Sequence, residues 1–319
     1  MRNSDVLFLN YSRYLREKYG ETAYRVAVDA GFSCPNRGMD RSSPGCIYCD
    51  ERGSRAVYLD SEKGKAGLFQ ELQRQVEGAM AFLKRRYDAR VFLLYFQAFS
   101  NTFASPSRLR KIYDYTLSLG NFRELIVSTR PDCISKEISR LLSDYINAAR
   151  EVWVELGLQS ASNTTLERIN RGHTVEEFFS AFSLLRSNGI KIAVHLIFGL
   201  PGESEKEILN TIRCVAALRP EGIKIHNLHV PKGTRLYSQY LAGELSIPGA
   251  ERHLDYVVKA LELLPPATVI MRLTCDTPDL RRAAPRFFLS KSVFYEKVKK
   301  ELRRRNTWQG RLFNDNFSS

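Results

Sequence analysis

Apolar and polar positions along the chain follow two different periods. Short runs of β-branched or apolar residues occur at 24–28, 91–96, 124–128, 152–158, 190–198 and 223–228. Between them lie longer stretches with apolar residues three and four apart, at 66–85, 107–119, 135–149, 174–187 and 203–218. The first pattern predicts buried strands and the second amphipathic helices. Thr174 with Glu177 three residues on reads as a capping box. Gly120 and Gly189 fall where a residue just past a helix end belongs. Strands separated by helices pair in parallel through right-handed crossovers. Six such units make an α/β fold, either an open or partial (β/α) barrel or a doubly wound sheet. In both, functional groups collect at the carboxyl ends of the strands.

Polar and glycine-rich clusters follow nearly every predicted strand, at 34–49, 97–102, 129–132, 159–163, 199–203 and 229–234. Six loops are therefore expected on one rim. The alternation weakens after Leu264, where Pro265-Pro266 marks a break. A short apolar segment at 268–273 and a basic helix at 290–305 follow. The expected organisation is a core at 23–264, between an N-terminal extension at 1–22 and a basic C-terminal extension at 265–319.

Composition changes this picture little. Of 319 residues, 44% are hydrophobic and 26% charged, enough for a sizeable core without covalent staples. The first twenty residues hold no apolar stretch suited to a signal peptide, and the longest apolar runs are too short to span a bilayer. A cytoplasmic protein with no membrane partner is expected, of unspecified oligomeric state. Charge adds more. The formal net charge is +13, and from Arg281 onward eleven basic residues face three acidic ones, a net +8. Either a polyanionic partner or a solvated helix face accounts for this segment.

Six cysteines are present, and Cys34, Cys46 and Cys49 cluster with the spacing Cys-x11-Cys-x2-Cys. In a reducing compartment such a cluster points to metal or catalysis rather than disulfides. A zinc site wants four ligands, and the nearest histidine in sequence is His173. Three soft thiolates with no fourth protein ligand suit an iron–sulfur cluster that keeps one iron open. Zinc with a distant fourth ligand, such as His195 or Cys133, is the alternative. Cys133, Cys214 and Cys275 are scattered and read as buried packing.

Cys46-Ile47-Tyr48-Cys49 resembles the Cys-x-aromatic-Cys end of the radical S-adenosylmethionine signature. The long gap from Cys34 to Cys46 is similar to the variant in proteins akin to the Elongator catalytic subunit. CPNRG, STRPDC, VELGLQS, INRGHT, HLIFGLPGES and KIHNLHVPKGTRL resemble one bacterial subfamily of those proteins, from about residue 10 to about residue 311. The resemblance implies a partial (β/α)6 barrel. It implies a [4Fe–4S] cluster on Cys34, Cys46 and Cys49, with S-adenosylmethionine on the open iron and cleaved to a 5′-deoxyadenosyl radical. A reducing donor such as flavodoxin or ferredoxin goes with that chemistry. Some members are linked to tRNA wobble-uridine modification, here of the carboxymethylaminomethyl-to-aminomethyl type. Elongator-like acetyl transfer is not expected, because the recognisable motifs occupy most of the chain.

The resemblance also suggests roles for single residues. Tyr48 falls beside the adenine. Gln97, Ser100 and Asn101 stand where relatives bind the methionine amino group, although a Gly-Gly-Glu sequence is absent. Glu155 and Gln159 lie four apart on one strand face and suit ribose hydroxyls, cofactor or substrate. A buried pair with a basic neighbour is the other reading for Glu155. Arg171 suits the cofactor carboxylate or else a helix-terminal surface charge, and His173 supports its loop. Gly199, in the GLPGE loop, would let the backbone approach the adenine. His195, His226, His229, Lys232 and Arg235 are candidate substrate contacts, and Arg303, Arg304 and Arg305 would dock a tRNA backbone. Two other functions compete: a radical enzyme for a small metabolite or protein, and a zinc or RNA-binding protein without catalysis.

Overall fold

The computed structural model of the chain describes residues 6–40, 42–50, 67–148, 150–275 and 281–314. In chain order the strands are β1 (Ala23–Val28), β2 (Val91–Phe96), β3 (Phe122–Thr129), β4 (Glu151–Gln159) and β5 (Lys191–Phe198). They continue with β6 (Gly222–Asn227), β7 (Val230–Pro231), β8 (Val269–Arg272) and β9 (Arg282–Ala284). The helices are α1 (Tyr11–Tyr19), α2 (Leu68–Tyr87), α3 (Pro106–Ser118), α4 (Lys136–Ser143) and α5 (Asn163–Arg168). After them come α6 (Val175–Ser187), α7 (Glu205–Leu218), α8 (Arg235–Leu241), α9 (Ala250–Leu263) and α10 (Lys291–Arg304).

Seven strands form one parallel sheet in the order β1-β2-β3-β4-β5-β6-β8. The six expected strands are all there, and the apolar segment at 268–273 supplies a seventh. Because the strands follow one another in consecutive order through right-handed crossovers, the crossover helices cover one face. The side chains alternate accordingly. Leu94, Val127, Val154, Val194 and Ile225 point outward into the main core with Leu72, Ile112, Phe178, Ile212 and Leu261 from the helices. Leu93, Ile126, Trp153, Ala193 and Met271 point to the other face and pack on Leu15 of α1.

That inner face is concave. Arg25 on β1 lies 3.9 Å from Met271 on β8, so side chains from the two edge strands meet across it. The sheet is a curled half-barrel, and α1 closes its lower end. Lys18 of α1 forms ion pairs with Glu124 and Glu151 at the base of β3 and β4. The two ends of the chain also meet at β8. Leu9 O accepts from Ile270 N at 2.7 Å, and Leu9 N donates to Gln309 Oε1 at 2.9 Å.

Caps set the helix boundaries. Thr174 and Ser204 each accept from the amide of a glutamate three residues on, which returns the bond, so α6 and α7 both begin with a capping box. Gly189 has φ +71 just past α6, as expected, whereas Gly120 is needed for room. A Cβ there would lie 3.1 Å from the Phe122 ring. One helix expectation is corrected: the segment 135–149 is helical only to Ser143, because a turn and the Asn147–Arg150 bridge redirect the chain into β4.

A cysteine loop and a charged interior at the carboxyl rim

The cysteine loop leaves β1 and is tied down at every turn. Pro35–Arg37 forms a single 3-10 turn after Cys34. Asn36 Nδ2 donates to Asn170 O at 2.6 Å and to Arg171 O at 2.8 Å, and lies 3.5 Å from Cys46 Sγ. Arg37 is buried and donates to Cys49 O at 2.7 Å and Asp50 O at 2.9 Å. The backbone of the Cys-x-x-Cys turn is clamped from both sides: Ile47 N donates to Ile169 O, and Leu236 N donates to Ile47 O. Tyr48 packs between these elements against the cluster around Ile47, Leu166 and Leu200. Arg235, one of the candidate substrate contacts, instead donates to Gly45 O at 2.7 Å and props this loop.

The thiols sense one another and the cations around them. Burial opposes ionisation of Cys46, but Arg171 and Arg130 outweigh it and bring its pKa below the ordinary thiol value. Burial and the charge on Cys46 push Cys49 up, with Cys34 adding to the effect. Arg171 is buried, which removes the surface-charge reading. Its Nη2 donates to Gly157 O at 2.8 Å, its Nε meets His173 Nε2 at 2.9 Å, and its Nη1 lies 3.7 Å from Cys46 Sγ. His173, kept neutral by burial and by Arg171, orients the guanidinium. Gly157 makes room for this corner, since a Cβ there would fall 2.7 Å from both Arg171 Nη2 and Gln159 Nε2. Cys46, Arg171 and Gln159 thus meet on one side of the rim.

The loop after β2 is strained. Ala98 and Phe99 have φ of 76° and 55°, values that favour glycine. This is where the expected Gly-Gly-Glu is missing, and the backbone keeps a glycine-like path without the glycines. Ser100 N donates to Ser33 O, which joins this loop to the cysteine loop. Asn101 Nδ2 is spent on Ala98 O and Ser128 O. Among the described residues, Ser100 Oγ, Asn101 Oδ1 and Gln159 Oε1 are buried polar atoms with no hydrogen-bond partner. Gln97 is half-buried beside them.

Deeper in the half-barrel the side chains are charged. Glu155 accepts from Arg25 at 2.8 Å, Tyr95 at 2.7 Å, Ser128 at 3.0 Å and Lys224 at 2.5 Å. Burial works against its charge, yet Lys224 and Arg25 hold the carboxyl well below the usual range. The structure therefore places Glu155 in a buried pair with basic neighbours. His195 and His226 stand edge to face with ring centres 4.1 Å apart, and burial keeps both neutral. His229 lies 3.3 Å from Cys275 Sγ. Lys232 is exposed on the rim.

The remaining candidates are scattered. Gly199 has φ +85, and a Cβ there would meet Pro248 at 2.5 Å, so packing already accounts for the glycine. Next to it, burial raises Glu203 to about 7, and its carboxyl receives the Ser160 hydroxyl at 2.6 Å. Cys133 is buried, as expected, but Cys214 is exposed because it lies beside the buried stripe of α7 formed by Ile208, Thr211, Ile212 and Val215. Cys275 is half-buried. Arg303 is exposed on α10, while Arg304 and Arg305 are held by Glu301 and Arg305 also by Asp255. A cleft of about 610 Å³ opens at the opposite, amino end of the strands beside Trp153, Lys191 and Thr268. It carries none of these groups and lies away from the face where this architecture does chemistry.

No three His, Cys, Asp or Glu side chains among the described residues converge tightly enough to hold a single ion. A [4Fe–4S] cluster asks for thiolates on separate irons. Three cysteines on one anchored loop, one of them with its pKa lowered by neighbouring guanidiniums, and orphan polar atoms beside it, fit that request. The fold and the rim thus define an α/β half-barrel with a cysteine loop at the carboxyl ends of its strands.

Comparison makes the class specific. The Radical SAM superfamily profile matches residues 34–215, and the Radical_SAM C-terminal domain profile matches 220–304. The chain belongs to the radical SAM superfamily, and its cofactors are a [4Fe–4S] cluster and S-adenosylmethionine. It is 33% identical over 308 residues to an uncharacterized protein of Methanocaldococcus jannaschii, covering 96% of this chain and 92% of that one. It is 35% identical over 158 residues to the tRNA uridine(34) acetyltransferase of the same organism, covering 48% of this chain and 28% of that one. The solved Elp3 of Methanocaldococcus infernus, lacking its N-terminus, superposes with a TM-score of 0.67 at 19% identity over 90% of this chain and 64% of that one. It supports the fold. No helix among the described residues is long and apolar enough to cross a membrane.

Proposed function

We propose that Cys34, Cys46 and Cys49 hold the cluster, and that the enzyme modifies the side chain of a wobble uridine in tRNA. When bound, the cofactors supply reductive cleavage of a sulfonium C–S bond and a carbon radical strong enough to take an unactivated hydrogen. The protein's own residues position and shield. Arg171, oriented by His173 and Gly157 O, offers a guanidinium to a carboxylate beside Cys46. Gln97, Ser100, Asn101 and Gln159 offer polar atoms to the methionine and ribose portions, and Tyr48 packs beneath the adenine.

The observation that carries the reading is the meeting of Cys46, Arg171 and Gln159 on one side of the rim. The tRNA assignment draws its support from the name of the relative matched over 158 residues. The conversion proposed is carboxymethylaminomethyl to aminomethyl: a hydrogen is abstracted from the glycine-derived methylene, the resulting substrate radical returns one electron to the oxidised cluster and loses a proton to give an imine, and water cleaves the imine C–N bond to release the amine and glyoxylate. A reducing partner of the flavodoxin or ferredoxin type would supply the electron. Mass spectrometry of tRNA nucleosides from cells lacking the protein tests the substrate. The carboxymethylaminomethyl precursor should accumulate at the wobble position. An unchanged profile would turn the assignment toward a small metabolite or a protein.

A further inference from the structure

One level of the barrel interior carries more positive than negative charge. Arg25 and Arg272 are permanent cations there, and Lys224 makes a third when protonated. Among the described residues Glu155 is the carboxylate that meets this group, and it is already shared by Arg25, Lys224, Tyr95 and Ser128. Arg272 reaches no carboxylate among the described residues. Its polar contact is Nη1 at 3.4 Å from His226 Nε2. Burial lowers Lys224, Glu155 opposes that, and the charges of Arg25 and Arg272 add to it.

A bulge puts Arg272 on this face. Ile223 pairs with Ile270, but Lys224 pairs with Arg272, so Met271 is the extra residue. Met271 lies against the inner side of Gly222, where a Cβ would be 3.2 Å from its sulfur. With simple alternation Arg272 would point outward toward the helices. The bulge turns it inward beside Met271, a use of bulges common next to active sites. His195 adds a second sign: its Nε2 is buried with no partner, and its ring stands 4.1 Å from that of His226.

A half-buried guanidinium beside two neutral imidazoles is costly unless an anion shares the space. We propose that Arg272, His226 and His195 form an anion subsite inside the half-barrel that receives a carboxylate of the substrate. Guanidinium donors in a planar fork take a carboxylate in two bonds, and a neutral imidazole adds one N–H. Arg171, proposed above for the cofactor's carboxylate, is anchored beside Cys46 at Gly157 O on β4, three strands away from Arg272 on β8. For its substrate this inference rests on the tRNA reading above, in which the carboxymethylaminomethyl group ends in a carboxylate and the aminomethyl product has none. The subsite then tells substrate from product.

The test uses the anaerobically reconstituted holoenzyme and two tRNAs, one with carboxymethylaminomethyluridine and one with aminomethyluridine at the wobble position. The wild type should bind the first about ten- to a hundred-fold more tightly, as for a hydrogen-bonded charged group. Arg272→Gln should abolish the preference, and Arg272→Lys should keep part of it. A second arm is independent of tRNA. Millimolar N-methylglycine should raise the melting temperature of the wild type more than its amide, which lacks the carboxylate, does, and Arg272→Gln should erase the difference. A response to N-methylglycine without discrimination between the tRNAs would keep the subsite and sink the tRNA reading. An unchanged tRNA preference in Arg272→Gln, silence in both arms, or a defect confined to S-adenosylmethionine affinity would overturn the subsite.

Discussion

Glu203 shows how closely single residues are tuned around the rim. Burial lifts its pKa to about 7, against an ordinary carboxylate value of 4.5. The folded state thus binds this proton more tightly than the unfolded chain. Its contribution is fully present below pH 4.5, falls as pH rises toward 7, and is gone above that. Glu203→Gln should flatten the pH dependence of the denaturation midpoint between 4.5 and 7 and stabilise the protein at pH 8. A wild-type slope identical to that of the variant would contradict the assignment. At this scale the sequence points to the right segments more readily than to the right contacts. Arg171 is a candidate by its motif, but only the structure buries it against Gly157 and Cys46. Asn36, Arg37 and Arg130 sit inside CPNRG and STRPDC without standing out, because loop spacing does not reveal which backbone oxygen or sulfur a side chain meets. Arg25 and Lys224 do carry a signal: each is a charge in the middle of an apolar strand, and a buried charge needs a partner.

Among the elements, the loop after β2 makes the sharpest statement. Alanine-to-glycine changes in an ordinary segment cost about 0.5–1 kcal/mol through the unfolded chain. At Ala98, with φ 76°, relief of the left-handed strain offsets that cost. Ala98→Gly should therefore leave the melting temperature unchanged or raise it, and a loss of more than about 1 kcal/mol would mean the loop is not held this way. Thr174→Ala at the head of α6 should cost about 1 kcal/mol by removing one side of its capping box. A denaturation midpoint unmoved by that change would show that α6 does not depend on its cap. The first six strands are readable because apolar runs between amphipathic stretches have few alternative explanations. β8 is not, since four residues after a Pro-Pro break carry too little pattern to distinguish a strand from a loop. α9 is buried around much of its circumference, from His253 to Leu261, so its stripe is too broad to stand out.

For the whole molecule, the curl of the sheet decides what the residues can do together. It brings Arg25 of the first strand to Glu155 of the fourth and Met271 of the last, which no local reading of the chain conveys. Charge at the surface is a different matter. The net +8 of the C-terminal segment looks larger in sequence than in space, because Glu301 and Asp255 hold Arg304 and Arg305, and Glu251 and Glu296 hold Lys297 and Lys299. If α10 docks a tRNA backbone, replacing Arg303, Arg304 and Arg305 by glutamine should weaken binding for all tRNAs alike. It should also reduce the slope of log affinity against log salt by about 0.7–0.9 for each phosphate no longer neutralised. An unaltered slope would take α10 out of the interface.

The central claim concerns the three cysteines on the loop after β1. The measurement that bears on it most directly is iron, sulfide and 5′-deoxyadenosine after anaerobic reconstitution and reduction with S-adenosylmethionine. The wild type should hold about four irons and four sulfides per chain and form 5′-deoxyadenosine. The variant with Cys34→Ala, Cys46→Ala and Cys49→Ala should do neither while keeping its fold. A stable cluster in that variant, or a wild type that takes up one zinc and no iron, would contradict the account.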